Sequence, residues 1–124
     1  METQRSNVHF SKELITQVTA DELDGIIASE AYTIIDVRSA SGIASQGNIP
    51  TAVNVPLEEL KRKIDERSEN PDSFLNSTGP FLFCCTGGVI SYMAAIHAQE
   101  SGMQQVFNLE GGHAAWKKLK AEVS

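Results

Sequence analysis

One cysteine of this chain stands where an apolar run meets a glycine-containing segment. Cys85 follows Phe81–Cys84 and precedes Thr86-Gly87-Gly88, after which a helical pattern begins at Ser91. This order predicts a strand, a tight loop curled by its two glycines and a helix, so that backbone N–H groups at the helix N-terminus surround the thiol. Such a position lowers a thiol pKa from about 8.5 to roughly 3.5–7.5. We therefore interpret Cys85 as a candidate catalytic nucleophile.

The two cysteines have alternative interpretations. Cys85 could be an inert small hydrophobe at a strand end, but the glycines after it disfavour that role. Cys84 is expected to pack in the core, with a resolving or sulfur-accepting role as the alternative. Neighbouring strand residues point to opposite faces, so a bond between them would be strained. Without a disulfide framework, a reducing, cytoplasmic location is predicted.

Composition restricts the classes of partner. The chain has 124 residues, 41% of them hydrophobic, and a formal net charge of -6. The acidic balance argues against nucleic acid and anionic membranes as partners, because both require basic patches. No apolar stretch has the length of a membrane span. The scattered histidines His9, His97 and His113 lack metal-ligand spacing, so neither a metal nor a cofactor is predicted.

The length and the hydrophobic content favour one domain with one core. Residues 1–12 are polar and are predicted to form a tail, with a single domain over residues 13–124. Helical and strand patterns alternate along that domain. The predicted strands are Thr33–Val37, Ala52–Val55, Phe81–Cys84 and Gln105–Leu109, and the predicted helices begin near Thr19, Ser39, Leu57, Ser91 and Gly111.

This alternation predicts an α/β fold, with a mostly parallel sheet covered by helices on both faces. Ligands of such sheets bind at the carboxyl ends of the strands. Asp36 and Cys85 both lie at predicted strand ends. We therefore expect the functional site at that edge of the sheet.

Four motifs in a fixed order carry a resemblance to a known family. They are Ile35-Asp36-Val37-Arg38, Gly47-Asn48-Ile49-Pro50-Thr51-Ala52-Val53-Asn54-Val55-Pro56, Cys85-Thr86-Gly87-Gly88-Val89-Ile90-Ser91, and Asn108-Leu109-Glu110-Gly111-Gly112 with Trp116 after it. With these motifs the chain resembles a single-domain rhodanese-like sulfurtransferase. The resemblance covers roughly residues 17–119 and implies a three-layer fold around a five-stranded sheet.

The resemblance also implies a reaction. Family members take a sulfane sulfur from a donor such as thiosulfate and hold it as a cysteine persulfide. They then pass it to cyanide, a thiol or a protein acceptor. Cys85 occupies the position of the nucleophile. The expected substrate-binding residues are Thr86, Gly87, Gly88, Val89, Ile90 and Arg38, with Asp36 and Ser91 supporting the loop.

Several positions depart from the family pattern. Ile90 replaces the arginine that many relatives carry before the helix serine, and an isoleucine cannot attract an anionic donor. Asn48 replaces a usual histidine, and Gly42 stands where an acidic residue is common. Arg38 could supply the missing positive charge, although pairing with a nearby carboxylate is the expectation that we favour.

Two other functions compete with a sulfurtransferase. A cysteine phosphatase needs an arginine six positions after its nucleophile, but Ile90 and Ser91 stand there when counted from Cys84 and Cys85. Neither can clamp a phosphate dianion. The second alternative is a catalytically weak or inactive rhodanese-like domain that serves as a binding or regulatory module. Ile90 and Asn48 favour that alternative, whereas Cys85 and the loop glycines favour the enzyme.

Overall fold

The computed structural model describes residues 15–123, in which five strands form one sheet. The strands are β1 (Thr16–Val18), β2 (Thr33–Asp36), β3 (Val53–Asn54), β4 (Phe81–Cys84) and β5 (Val106–Leu109), arranged in the order β1-β5-β4-β2-β3. All four strand pairings are parallel. The predicted α/β class and five-stranded sheet are confirmed. The predicted polar tail at residues 1–12 lies outside the described residues.

Five α-helices connect and cover the strands. They are α1 (Ala20–Ser29), α2 (Ala40–Gln46), α3 (Leu57–Asp65), α4 (Ile90–Glu100) and α5 (Gly112–Val123), with short 3-10 turns at Arg67–Glu69 and Phe74–Asn76. Helix α1 begins at the predicted capping box, in which the Thr19 N–H donates to Glu22 Oε1 at 2.9 Å. Among residues 15–123 no helix is long and apolar enough to cross a bilayer.

Strand β1 is the element that the residue pattern did not predict. It has three residues, two of them exposed, so it carries no alternation from which a strand could be recognised. It forms through its partner, because Thr16, Gln17 and Val18 pair with Phe107, Asn108 and Leu109 of β5. The other strands start or end within one residue of their predicted bounds.

The sheet divides the core into two clusters. Phe81, Phe83 and Cys85 belong to the cluster on one face, which α3 and α4 cover. Leu82 and Cys84 belong to the cluster on the other face, together with Trp116 and other residues of α1 and α5. This alternation is the period-two pattern of a strand that is buried on both sides. Successive cysteines therefore lie on opposite sides of the sheet.

The first turn of α5 is bonded to the loop that follows β4. The His113 N–H donates to Cys85 O at 2.8 Å, and the Ala114 N–H donates to Thr86 O at 3.0 Å. These bonds satisfy helix N–H groups that would otherwise lack partners. Gly112 makes the approach possible, since it has a φ of +65° and a Cβ there would lie 2.5 Å from both carbonyl oxygens. The helix and the loop thus fix each other.

Replacing Gly112 tests this contact. We expect Gly112→Ala to lower the free energy of unfolding by about 2–4 kcal/mol, because the new methyl group collides with two backbone carbonyls in a left-handed conformation. Gly25→Ala is the matched control. Gly25 lies inside α1, and a Cβ added there would meet no atom within 4 Å, so alanine should stabilise by about 0.5–1 kcal/mol. Urea unfolding measures the stability of both variants. If Gly112→Ala unfolds at the same urea concentration as the unsubstituted protein, Gly112 is not required for the close contact between α5 and the loop.

Candidate active site

Cys85 lies directly after β4, at the N-terminus of α4. Its Sγ accepts hydrogen bonds from the Gly88 N–H at 3.1 Å and the Ser91 N–H at 3.3 Å. Ser91 is the second residue of an 11-residue helix, so the positive end of the helix dipole also faces the sulfur. Donors that converge in this way stabilise a sulfur anion.

The surroundings of Cys85 change the pKa of its thiol. Burial raises that pKa, but hydrogen bonds from the Ser91 hydroxyl, the Ser91 N–H and the Gly88 and Gly87 N–H groups lower it by more. The net effect is a pKa below the ordinary value of a cysteine. Backbone dipoles and hydrogen bonds, not a neighbouring cation, produce this shift.

The Ser91 hydroxyl has one proton and two neighbours that could accept it. Its Oγ lies 3.3 Å from Cys85 Sγ and 2.6 Å from Asn108 Oδ1. The Asn108 amide is oriented by its Nδ2, which donates to Gly88 O at 3.0 Å, so its Oδ1 can only accept. With one proton, the Ser91 hydroxyl can donate to only one of these two acceptors at a time. The backbone N–H groups of Gly88 and Ser91, by contrast, donate to the sulfur alone.

Asn108 connects the two residues whose N–H groups bind the sulfur. It is fully buried in β5, and it contacts the Ser91 hydroxyl through Oδ1 and the Gly88 carbonyl through Nδ2. Its Nδ2 also donates to Gln17 Oε1 of β1 at 2.9 Å. Asn108 had no predicted role, although it lies in the fourth motif at the end of a strand. A buried amide with all its polar atoms bonded fixes the loop around Cys85.

The two loop glycines are not equivalent. Gly88 has a φ of +88°, and a Cβ there would lie 2.9 Å from Leu109 O and Gly111 N. Gly87 has no such conformation, and a Cβ there would meet nothing within 4 Å. The expectation that both glycines permit the curl of the loop is therefore correct for Gly88 only. Gly87 instead leaves the pocket mouth open.

Arg38 pairs with the carboxylate two residues before it. Its Nε lies 3.0 Å from Asp36 Oδ1 and its Nη2 lies 2.6 Å from Asp36 Oδ2, and both side chains are buried. Further guanidinium donors bind Gln46 Oε1 at 3.2 Å and Gly47 O at 3.0 Å. This is the pairing that we favoured from the sequence. Asp36, which we expected to support the cysteine loop, reaches that loop through Arg38: in the described chain the one backbone N–H bonded to its side chain is that of Arg38.

Gln46 joins this ion pair to the cysteine loop. Its Oε1 accepts from Arg38 Nη1 and from Thr86 Oγ1, the latter at 3.0 Å. Gln46 is the last residue of α2, a helix that has no catalytic motif in the sequence. The sequence carried no signal for this role.

A pocket of about 200 Å³ opens beside Cys85. Six of the predicted site residues line it. Gly88 and Ser91 do not line the pocket but donate their N–H groups to the sulfur. Val37 also lines the pocket, which we did not predict. The lining residues are Val37, Arg38, Cys85, Thr86, Gly87, Val89 and Ile90.

Cys84 takes no part in this site. It is fully buried in the core cluster on the opposite face of the sheet, and burial together with the nearby Asp36 raises the pKa of its thiol. A resolving role would require a thiol that reaches Cys85, and the strand turns the Cys84 side chain away. The structure therefore supports a packing role for Cys84. Within residues 15–123, no cluster of three His, Cys, Asp or Glu side chains is arranged to hold a metal ion.

The lowered pKa of Cys85 predicts the pH dependence of its alkylation. Because its pKa is lowered, Cys85 should remain a thiolate at pH values below the ordinary cysteine pKa of about 8.5. The rate of its reaction with iodoacetamide should therefore fall only when the pH drops through the pKa of Cys85 in the folded protein. Intact mass should show one adduct on the folded protein and none on Cys85→Ser. The same chain in urea provides the reference midpoint. A folded midpoint equal to or above that reference would refute the lowered pKa.

Removing the Asn108 amide should weaken the donors around the sulfur. We expect Asn108→Ala to raise the midpoint of Cys85 alkylation by about 0.5–1 pH unit and to cost about 1–3 kcal/mol of stability, because its buried partners lose their bonds. Asn76→Ala is the control: Asn76 Nδ2 donates to Arg67 O and Asn70 O far from the loop. It should lower stability without moving the midpoint. Equal midpoints in all three proteins would show that Asn108 does not position the donors.

Comparison with known proteins agrees with this architecture. The family model of the rhodanese-like domain matches residues 19–119. A sulfurtransferase from Allochromatium vinosum is 26% identical over 106 residues, covering 85% of this chain and 91% of that protein. The human single-domain sulfurtransferase TSTD1 superposes with a TM-score of 0.67 at 26% identity, covering 82% of this chain and 95% of that one.

One similar structure suggests a different chemistry. A Rhodopseudomonas palustris protein of unknown function, described as a possible tyrosine phosphatase, superposes with a TM-score of 0.74 at 26% identity, covering 90% of this chain and 86% of that one. In the present chain Ile90 and Ser91 stand where a phosphatase loop needs its arginine. The fold, the order of the motifs and the match over residues 19–119 all agree: the chain belongs to the rhodanese-like domain family.

Proposed function

We propose that this protein is a sulfurtransferase that carries a sulfane sulfur as a persulfide on Cys85. The observation that supports this most directly is the convergence of the Gly88 and Ser91 N–H groups on Cys85 Sγ, beside an open pocket. A thiolate in that position is a nucleophile at neutral pH. Relatives named as sulfurtransferases, among them that of Allochromatium vinosum, support the same reaction class.

The chemistry requires one nucleophile and a group of fixed donors. The Cys85 thiolate attacks the outer sulfur of a donor such as thiosulfate, forming a new S–S bond. The bond from that sulfur to the sulfonate breaks, and its electron pair leaves with sulfite. Backbone N–H groups that hold the thiolate are suited to holding the anionic persulfide as well, because their dipoles need not reorganise.

The second step regenerates the cysteine. A thiolate or cyanide attacks the outer persulfide sulfur and leaves with it, returning Cys85 to the thiolate. A small thiol or a protein thiol would serve as acceptor. No metal or cofactor is needed for either step. A reducing compartment such as the cytoplasm would supply thiol acceptors and keep both cysteines as free thiols.

A binding module without catalysis is the alternative. The exposed Ile90 at the pocket rim supports it, because many relatives place a cation at that position. The bonded environment of Cys85 argues against it, since a binding surface has no need for amides that stabilise a sulfur anion. Sulfur transfer to Cys85 distinguishes the two functions.

Intact-mass measurement after incubation with a sulfane donor tests the proposal. We expect the folded protein to gain one sulfur atom and to lose it again on addition of a thiol or cyanide. Cys85→Ser should gain nothing, because the nucleophile is gone. Cys84→Ala should still gain the sulfur, because Cys84 lies across the sheet. The absence of an adduct with every donor tried would refute the proposed function.

A further inference from the structure

The pocket beside Cys85 has an apolar rim. The apolar residues Val37, Val89 and Ile90 line it. Val89 in the loop is 69% exposed and Ile90 at the start of α4 is 47% exposed, which is a large fraction for aliphatic side chains. Neither is needed to fill the core. Exposed aliphatic groups at the mouth of a pocket favour a ligand that brings apolar surface to cover them.

The charge of the pocket does not favour a dianion. Among residues 15–123, Arg38 is the one cationic side chain that lines the pocket. Its guanidinium is paired with Asp36 at 2.6 Å, with both side chains buried, so the pair is formally neutral. The chain as a whole carries a formal charge of -6. A doubly charged ligand therefore meets little compensating charge here.

Three polar donors close to the sulfur already have partners. The Gly88 and Ser91 N–H groups bind Cys85 Sγ, and the Thr86 hydroxyl donates to Gln46 Oε1. These groups are suited to holding one anionic sulfur. Neither they nor the neutral Arg38–Asp36 pair adds a free positive charge for the sulfonate of thiosulfate.

From this combination we infer that Cys85 takes its sulfur from organic sulfane donors in preference to inorganic thiosulfate. In such donors the group that carries the transferable sulfur also has an apolar substituent. This inference rests on the proposed sulfurtransferase function and adds the class of its donor. Val89 and Ile90 determine the preference by contacting the apolar group while the outer sulfur faces Cys85.

The transfer balances for an organic thiosulfonate. The Cys85 thiolate attacks the terminal sulfur of R–SO₂–S⁻ and a new S–S bond forms. The bond between the terminal sulfur and the sulfonyl sulfur breaks, and its electron pair leaves with the sulfinate R–SO₂⁻. Two negative charges are present before and after the step, and no proton or external oxidant is required.

Three donors separate the effects of charge and apolar surface. Thiosulfate is a dianion without an apolar group, methanethiosulfonate is a monoanion with a small one, and benzenethiosulfonate is a monoanion with a large one. The rate at which each adds sulfur to Cys85 is measured by intact mass and divided by its rate with a small free thiol. We expect benzenethiosulfonate to exceed methanethiosulfonate by about tenfold, because the ring buries apolar surface against the rim. Thiosulfate should be the slowest.

Variants at the rim identify the residue responsible. Ile90→Arg should reduce the preference for benzenethiosulfonate and raise the relative thiosulfate rate by about tenfold, since it places a cation at the mouth of the pocket. Ile90→Gln, polar but uncharged, should reduce the aromatic preference without helping thiosulfate. Phe74→Arg is the control for net charge. Phe74 is exposed in the 3-10 turn before β4, and the site lies at the other end of that strand.

The outcomes separate this inference from the proposed function. Sulfur addition to Cys85 with thiosulfate as the best normalised donor, or with donor ratios that Ile90→Arg leaves unchanged, would overturn the inference and leave the sulfurtransferase intact. No sulfur addition from any of the three donors would overturn both. Ratios that change with Ile90→Arg but not with Phe74→Arg would support the inference.

Discussion

The convergence of backbone N–H groups on one sulfur is the constraint to which the rest of the site is fitted. Gly88 and Ser91 supply these groups, and they can do so only if the chain turns sharply between β4 and α4. That turn brings Gly88 so close to the start of α5 that a Cβ would collide with Leu109 O and Gly111 N. The hydrogen bonds to Cys85 Sγ thus depend on how two loops at one edge of the sheet pack together.

Two other parts of the fold support this turn. The first turn of α5 donates to the carbonyls of Cys85 and Thr86, and Asn108 of β5 bonds to Gly88 and Ser91. These contacts come from elements that lie beside β4 in space but follow it by more than 20 residues in the chain. The parallel order of the sheet brings these elements together, because it places the ends of β4 and β5 side by side.

Among residues 15–123, the one cationic side chain that lines the pocket is already paired. The Arg38 charge is offset by Asp36, and this buried pair holds Gln46 and the Gly47 carbonyl in place. Arg38 is thus a structural part of the pocket wall. The exposed Val89 and Ile90 make the mouth of the same pocket apolar.

Much of the fold and part of the site could be predicted from the sequence. The β-branched and apolar runs of β2 and β4 determined two strands of the sheet, and the step from Cys85 to the helical pattern determined the position of the candidate nucleophile. Strand β1 could not be predicted, because three residues have no pattern of their own and become a strand only by pairing with β5. The roles of Asn108 and Gln46 were also hidden, since each acts through partners distant in the chain.

By itself, then, the sequence determined where the Cys85 sulfur lies and which local elements flank it, because propensity and periodicity act over neighbouring residues. Only the tertiary structure decided which groups face that sulfur. It showed that Gly88 must be a glycine whereas Gly87 need not be, and that the positive charge of Arg38 is already bound by Asp36. Both follow from close approaches between segments that the linear order of residues does not encode.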